Sequence, residues 1–171
     1  SPCPKMLTNN VLLMNFIGTG EQAAPQLKDV VLAPSEFRRL YRECVEIMWR
    51  LYNVAGLVHA DLSEYNLLYH DDSIVVIDVS QAVGDDHPMA FEFLRMDCTN
   101  ITNFFEKKGV AFMDVSQLFN FITDGTINEK NMDAFLDAAE EAANEDDEID
   151  SDKQIEEVVL ENADIPQYLN Q

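Results

Sequence analysis

The stretch Leu57–Ser80, LVHADLSEYNLLYHDDSIVVIDVS, decides the fold. Two short apolar runs, Leu67-Leu68-Tyr69 and Ile74-Val75-Val76-Ile77, flank the polar tetrad His70-Asp71-Asp72-Ser73, the pattern of two strands closed by a tight turn. The reading is a β-hairpin. A loop carrying His59, Asp61 and Asn66 leads into the first strand, and Asp78 follows the second. Pairing the strands brings the loop ends together. Asp61, Asn66 and Asp78 then converge, offering two carboxylates and an amide oxygen to a hard cation such as Mg2+. Such a donor set suits phosphoryl transfer, where a metal offsets charge developing on phosphoryl oxygens.

Each of these residues has a plainer reading when taken alone. His59 reads as a buried histidine bonding nearby backbone, and Asp61 as a turn carboxylate. Spacing changes the balance for Asp61: Asn66 follows in the same loop and Asp78 closes the hairpin. On that pattern Asp61 orients or deprotonates an attacking hydroxyl or water, while Asn66 and Asp78 hold the metal. His59 braces the loop in either reading.

The order H-x-D-x-x-x-x-N, hairpin, metal Asp is that of protein-kinase catalytic and metal-binding loops. Here it is spelled His59-Ala60-Asp61-Leu62-Ser63-Glu64-Tyr65-Asn66 and Ile77-Asp78-Val79-Ser80. Ala60 stands where the common pattern has Arg, Ser63 where many kinases carry Lys, and Val79-Ser80 in place of Phe-Gly. HADLSEYN followed by IDVSQ resembles the RIO family of atypical serine/threonine protein kinases, most closely its type-one branch. The resemblance extends from PCPKML and VLLMNFIG through Asp86-His87-Pro88, Glu92-Phe93-Leu94 and Asp97-Cys98 to Ile165-Pro166.

That resemblance implies an α+β fold: a mainly helical kinase-like large lobe with a catalytic β-hairpin and a remnant strand plus hinge of the small lobe. It implies ATP and Mg2+ as cofactors, with backbone groups of Asn15 and Ile17 contacting adenine and Met14 behind it. It also implies an ATPase-like cycle in which Asp78 acts as nucleophile and forms an aspartyl phosphate. Pre-ribosomal small-subunit particles are the implied partners. Two alternatives stay open. One is a catalytically inactive protein-binding module; the other is a small-molecule phosphotransferase of the choline or aminoglycoside kinase type, which shares the loop layout.

Composition bounds the rest. The 171 residues suit one domain, and 47% hydrophobic residues supply a core. Thirty-two acidic against 11 basic residues give a net charge of -21, which disfavours direct binding to nucleic acid through phosphates and favours a basic partner. Cys3, Cys44 and Cys98 lack metal-type spacing and suit a reducing, cytoplasmic setting. No stretch reaches the roughly 18 apolar residues that span a bilayer, and no leader pattern opens the chain.

Residues 1–20 read as small-lobe remnant and hinge, with Val11-Leu12-Leu13-Met14 a buried strand. Gly18-Thr19-Gly20 reads as a turn rather than a phosphate loop, because no third glycine or helix follows in register. Residues 21–143 read as the large lobe: a loop with a short helical turn, then a long amphipathic helix from Pro34, with Ser35 as possible N-cap and Gly56 as terminator. Its buried stripe is Phe37, Leu40, Tyr41, Cys44, Val45, Ile47, Met48 and Leu51, widened by Trp49 and Tyr52.

A second helix carries Ala90, Phe91, Phe93, Leu94, Cys98, Ile101, Phe104 and Phe105. His87, beside Asp85 and Asp86, reads as a helix-start residue rather than a metal ligand. A third helix carries Val115, Leu118, Phe119, Phe121 and Ile122 and stops at Asp124-Gly125. A fourth runs over Asn131–Ala143, with Met132, Phe135, Leu136 and Ala139 buried. Residues 144–154 read as an acidic linker open to a basic partner, and residues 155–171 as a segment docking on the lobe. A kinase's glycine-rich loop, strand Lys and helix Glu precede the hinge, and the chain as given starts after them.

Overall fold

The computed structural model describes residues 1–145, so the acidic linker beyond that point and the docking segment lie outside the described residues. The chain divides into two compact units, Ser1–Asn128 and Glu129–Gln171.

In the first unit, β1 (Pro4–Thr8) pairs antiparallel with β2 (Val11–Met14), and Asn9 at φ 52° makes the turn. The expectation of a buried strand at residues 11–14 does not hold. Val11, Leu12, Leu13 and Met14 are all exposed, as are Met6 and Leu7. A two-stranded ribbon has no second layer of its own to cover either face. The short pair β3 (Gly18–Thr19) and β4 (Gln22–Ala23) follows, with Gly20 at φ 62° in the turn, so Gly18-Thr19-Gly20 closes a hairpin. A Cβ on Gly18 would clash with the Gln22 carbonyl oxygen. A 3-10 turn, Leu27–Asp29, then leads to α1 (Pro34–Asn53).

Helix α1 starts with Pro at its first turn and Ala33 as N-cap. Ser35 therefore lies inside the helix and caps nothing, because Pro34 already has the fixed φ of a first helical residue. Phe37, Leu40, Tyr41, Cys44, Val45, Met48 and Trp49 are buried, and Phe37, Leu40, Val45 and Met48 each contribute on the order of 1.5–3 kcal/mol through burial. Ile47, Leu51 and Tyr52 sit half-buried at the stripe's margin. The helix ends at Asn53, and Gly56 at φ 64° turns the chain back.

Strand β5 (Leu57–Val58) pairs with β8 (Val83–Gly84), a contact that the sequence pattern does not announce. The expected hairpin is present: β6 (Leu67–His70) pairs with β7 (Ser73–Val76) in the register Leu67↔Val76 to His70↔Ser73. Asp71 and Asp72, at φ 49° and 58°, form the two-residue turn, both in the left-handed region that such turns require and that Asp tolerates. Arg39 from α1 donates to the Asp72 carbonyl, and Glu43 accepts from the Ile74 N–H at 3.0 Å. The long helix thus holds the hairpin's far end.

Helix α2 (Ala90–Lys107) and α3 (Val115–Thr123) complete the core. Leu94, Cys98, Ile101, Phe104 and Phe105 are buried, whereas Phe91 faces outward with its ring against Phe119 at 5.9 Å. His87 accepts from the Met89 N–H at the start of α2. Asp114 caps α3 through a reciprocal pair with Gln117. Burial pushes the thiols of Cys44 and Cys98 up, the latter to about 12, so both behave as core residues rather than nucleophiles.

In the second unit residues 132–145 are helical. Met132 and Leu136 are buried; Phe135, expected inside, is 43% exposed, and Ala139 is half-buried.

Candidate active site

The β6–β7 hairpin carries the candidate site because its pairing continues past β6 and β7. The Ile77 N–H donates to the Asn66 carbonyl at 3.0 Å, so Asn66 lies opposite Ile77 and beside Asp78. The Asn66 side-chain amide donates to the Asp61 carbonyl at 2.8 Å and to Asp61 Oδ2 at 3.2 Å. Both partners are acceptors, so the amide nitrogen is committed and the amide oxygen is turned away to accept. Asp61 and Asn66 are therefore joined directly, and Asp78 follows Ile77, the backbone partner of Asn66.

Asp78 has φ 58°, a left-handed conformation that costs a non-glycine residue about 1 kcal/mol or more. Ser80 donates to Asp78 Oδ1 twice, from its hydroxyl at 2.6 Å and its N–H at 3.4 Å. These bonds, the hydroxyl first, hold the Asp78 carboxyl below the usual carboxylate range. The carboxylate thus stays ionised with Oδ2 free of the Ser80 donors.

His59, buried at 1% exposure, joins the two strained loops. Its Nδ1 accepts from the Asp61 N–H at 3.2 Å, which leaves Nε2 as the protonated nitrogen donating to the Ile77 carbonyl at 3.0 Å. The imidazole braces the loop and faces no reactant, in keeping with its sequence reading.

Asp97 is the residue that sequence reasoning passed over. Its side chain, 2% exposed, accepts from the Ala60 N–H at Oδ2 and the Leu62 N–H at Oδ1, both at 2.9 Å. Burial pushes its carboxyl up to about 6 against the pull of those two N–H donors. Ala60 between them has φ 66°. Asn100, one helical turn on, donates to the Leu62 carbonyl at 3.2 Å. The signal was there to find: an acid within the apolar stripe of α2, between Leu94 and Ile101, needs partners to be buried.

Met14, Asn15 and Ile17 lie where β2 runs into β3. The Asn15 N–H donates to the Cys3 carbonyl and the Ile17 carbonyl accepts from Ala24, both at 2.9 Å. The Asn15 carbonyl and Ile17 N–H have no backbone partner among the described residues. From there the chain is stitched to the catalytic hairpin: Tyr69 N–H donates to the Pro25 carbonyl at 2.9 Å, and Gln26 bridges to Leu68. Lys28 then sits 5.0 Å from the centre of the Tyr65 ring, on the catalytic loop.

The donor chemistry fits Mg2+, whose sites use one or two carboxylate or amide oxygens and complete their shell with water and phosphate. Among the described residues no cluster of three or more His, Cys, Asp or Glu could hold a metal without such help, and no helix is long and apolar enough to cross a membrane.

Comparison with known proteins identifies the family. Residues 1–118 match the family model described as RIO domain. The chain is 48% identical over 174 residues to human serine/threonine-protein kinase RIO1, covering 99% of the chain and 31% of the relative. It is 46% identical to Dictyostelium discoideum serine/threonine-protein kinase rio1, with 99% and 30% covered. To mouse serine/threonine-protein kinase RIO3 it is 43% identical, with 85% and 29% covered. The chain spans about a third of the length of these relatives. With a family model matched over most of its length and a relative 48% identical over 99% of the chain, the chain belongs to the RIO family and has its kinase-like α+β fold.

Proposed function

We propose that this chain carries the catalytic loop of a RIO-type ATP-dependent serine/threonine kinase or ATPase acting in maturation of the small ribosomal subunit in the cytoplasm. The observation that carries the reading is the hydrogen-bonded convergence of Asp61 and Asn66 beside Asp78. The names of the relatives support the kinase class.

In this reading Asn66 and Asp78 hold Mg2+, which offsets charge on the phosphates. The Asn15 carbonyl and Ile17 N–H bond the adenine edge, with Met14 behind it. Asp61 takes the proton of the acceptor hydroxyl or water. In the aspartyl-phosphate branch, an Asp78 oxygen attacks the terminal phosphorus and the bond to the ADP oxygen breaks. Water activated by Asp61 then releases phosphate and restores the carboxylate. Hydroxylamine-sensitive label from ATP, absent in Asp78→Asn, is the expected result for that branch; stable label, or label persisting in the variant, refutes it.

Calorimetric titration of Mg-ATP into the chain tests the core of the proposal. Saturable binding that is lost in Asp78→Asn is expected, and no binding by a folded chain refutes it. That second outcome favours a protein-binding module instead, which the exposed apolar side chains Met6, Leu7, Val11, Leu12 and Leu13 on β1 and β2 would suit. Partners under either reading are pre-ribosomal proteins, with a basic surface facing the acid-rich end of the chain.

A further inference from the structure

Ser80 stands where the common kinase spelling has glycine, and its side chain is engaged with Asp78 alone among the described contacts. The hydroxyl reaches Oδ1 at 2.6 Å and the N–H the same oxygen at 3.4 Å. Both donors therefore fall on one oxygen of the carboxylate. Oδ2 remains as the oxygen available to a cation, while Oδ1 is turned toward the backbone of its own loop.

A carboxylate clamped in this way is a one-oxygen ligand. Mg2+ takes single oxygens in a strict octahedron, whereas Ca2+ accepts six to eight oxygens and commonly both from one carboxylate. Two-oxygen ligation by Asp78 would require Oδ1 to turn away from the Ser80 hydroxyl. The left-handed backbone at Asp78, φ 58°, and the anchoring of Ile77 by the Asn66 carbonyl and His59 limit how far the loop can move to compensate.

We propose that Ser80 is a specificity-determining, positioning residue: by clamping one oxygen of Asp78 it enforces single-oxygen ligation and selects Mg2+ over Ca2+ at the nucleotide site. This rests on the reading of Asp78 as a metal ligand under the proposed function. Ser80 touches neither nucleotide nor metal in this scheme; it acts through Asp78.

The test is calorimetric titration of ATP into the full chain in the presence of Mg2+ or of Ca2+, for wild type, Ser80→Ala and Ser80→Thr. The quantity read is the ratio of the two dissociation constants. Wild type is expected to favour Mg-ATP. Ser80→Ala should narrow the ratio by roughly tenfold, the order that follows from loss of one hydrogen bond to a charged group, mainly through tighter Ca-ATP binding. Ser80→Thr, which keeps the hydroxyl, should restore it. A purely structural Ser80 would lower the melting temperature without moving the ratio. A wild-type ratio in folded Ser80→Ala overturns the proposal. If that variant does not fold, Ser80→Gly takes its place with the same expected narrowing and the same overturning result. Failure of wild type to bind ATP with either cation overturns the phosphoryl-transfer reading itself, and this inference with it.

Discussion

Asp97→Asn separates what a buried charge does for the catalytic loop from what it does for stability. Both carboxylate oxygens accept loop N–H groups at 2.9 Å from within α2. Desolvation nevertheless dominates and lifts the carboxyl from 3.8 to about 6. The folded chain therefore holds this proton more tightly than the unfolded chain. Its stabilising contribution is fully present below the unfolded value of 3.8 and is lost as pH rises through about 6. That gap corresponds to about 3 kcal/mol.

Asparagine matches the neutral acid in size, offers one acceptor oxygen and does not titrate. Plotted against pH, the unfolding free energy of Asp97→Asn minus that of wild type should rise by about 3 kcal/mol between pH 3.5 and 7. Urea melts at a series of pH values give the difference, which cancels the opposite contributions of other carboxylates. At neutral pH the same variant should show faster hydrogen exchange at the Ala60 or Leu62 amide, because one N–H now faces an NH2 group. Parallel stability curves for the two proteins would refute the reasoning. Unchanged exchange at both amides would show that the loop does not depend on the charge.

Two further perturbations probe local structure. Asp114→Ala removes the capping pair with Gln117, whose bonds are 2.8 and 2.9 Å, and should cost about 1 kcal/mol in thermal or urea unfolding; an unchanged midpoint would mean that α3 is fixed by packing alone. Ala60→Gly relieves the left-handed residue at φ 66° and should stabilise by about 0.5–1 kcal/mol after the entropy of glycine is subtracted, so a lower urea midpoint would show that the Ala60 methyl is needed for packing.

The hairpin, and with it the approach of Asn66 to Asp61, was legible because the determinants are local. Apolar runs of three and four residues, a two-acid turn and fixed spacings place Asn66 opposite Ile77 without information from elsewhere in the chain. Helix α1 was legible for the same reason, its stripe repeating at helical steps over 20 residues. What failed depends on neighbours distant in sequence. Whether Val11–Met14 is covered is decided by what lies against it, and no periodicity within four apolar residues encodes that. Strands β5 and β8 contribute two residues each, too few to carry a pattern. Ser35 shows the limit of local rules in the other direction: a good capping residue next to proline loses to the position the proline ring fixes.

The placement of strain ties the framework residues to the loops that carry Asp61 and Asp78. Ala60, which immediately precedes Asp61, and Asp78 itself both adopt left-handed backbone. A strained residue persists only where surrounding bonds over-determine it. Ala60 is held by Asp97, and the next N–H by His59; Asp78 is held from one side by Ile77 and from the other by Ser80. His59 belongs to both sets, with one nitrogen on the Asp61 N–H and the other on the Ile77 carbonyl. The imidazole therefore links the loop that carries Asp61 to the one that carries Asp78, so displacement of either is resisted by the other. Removing His59 would free two loops at once, whereas removing Asp97 or Ser80 would free one.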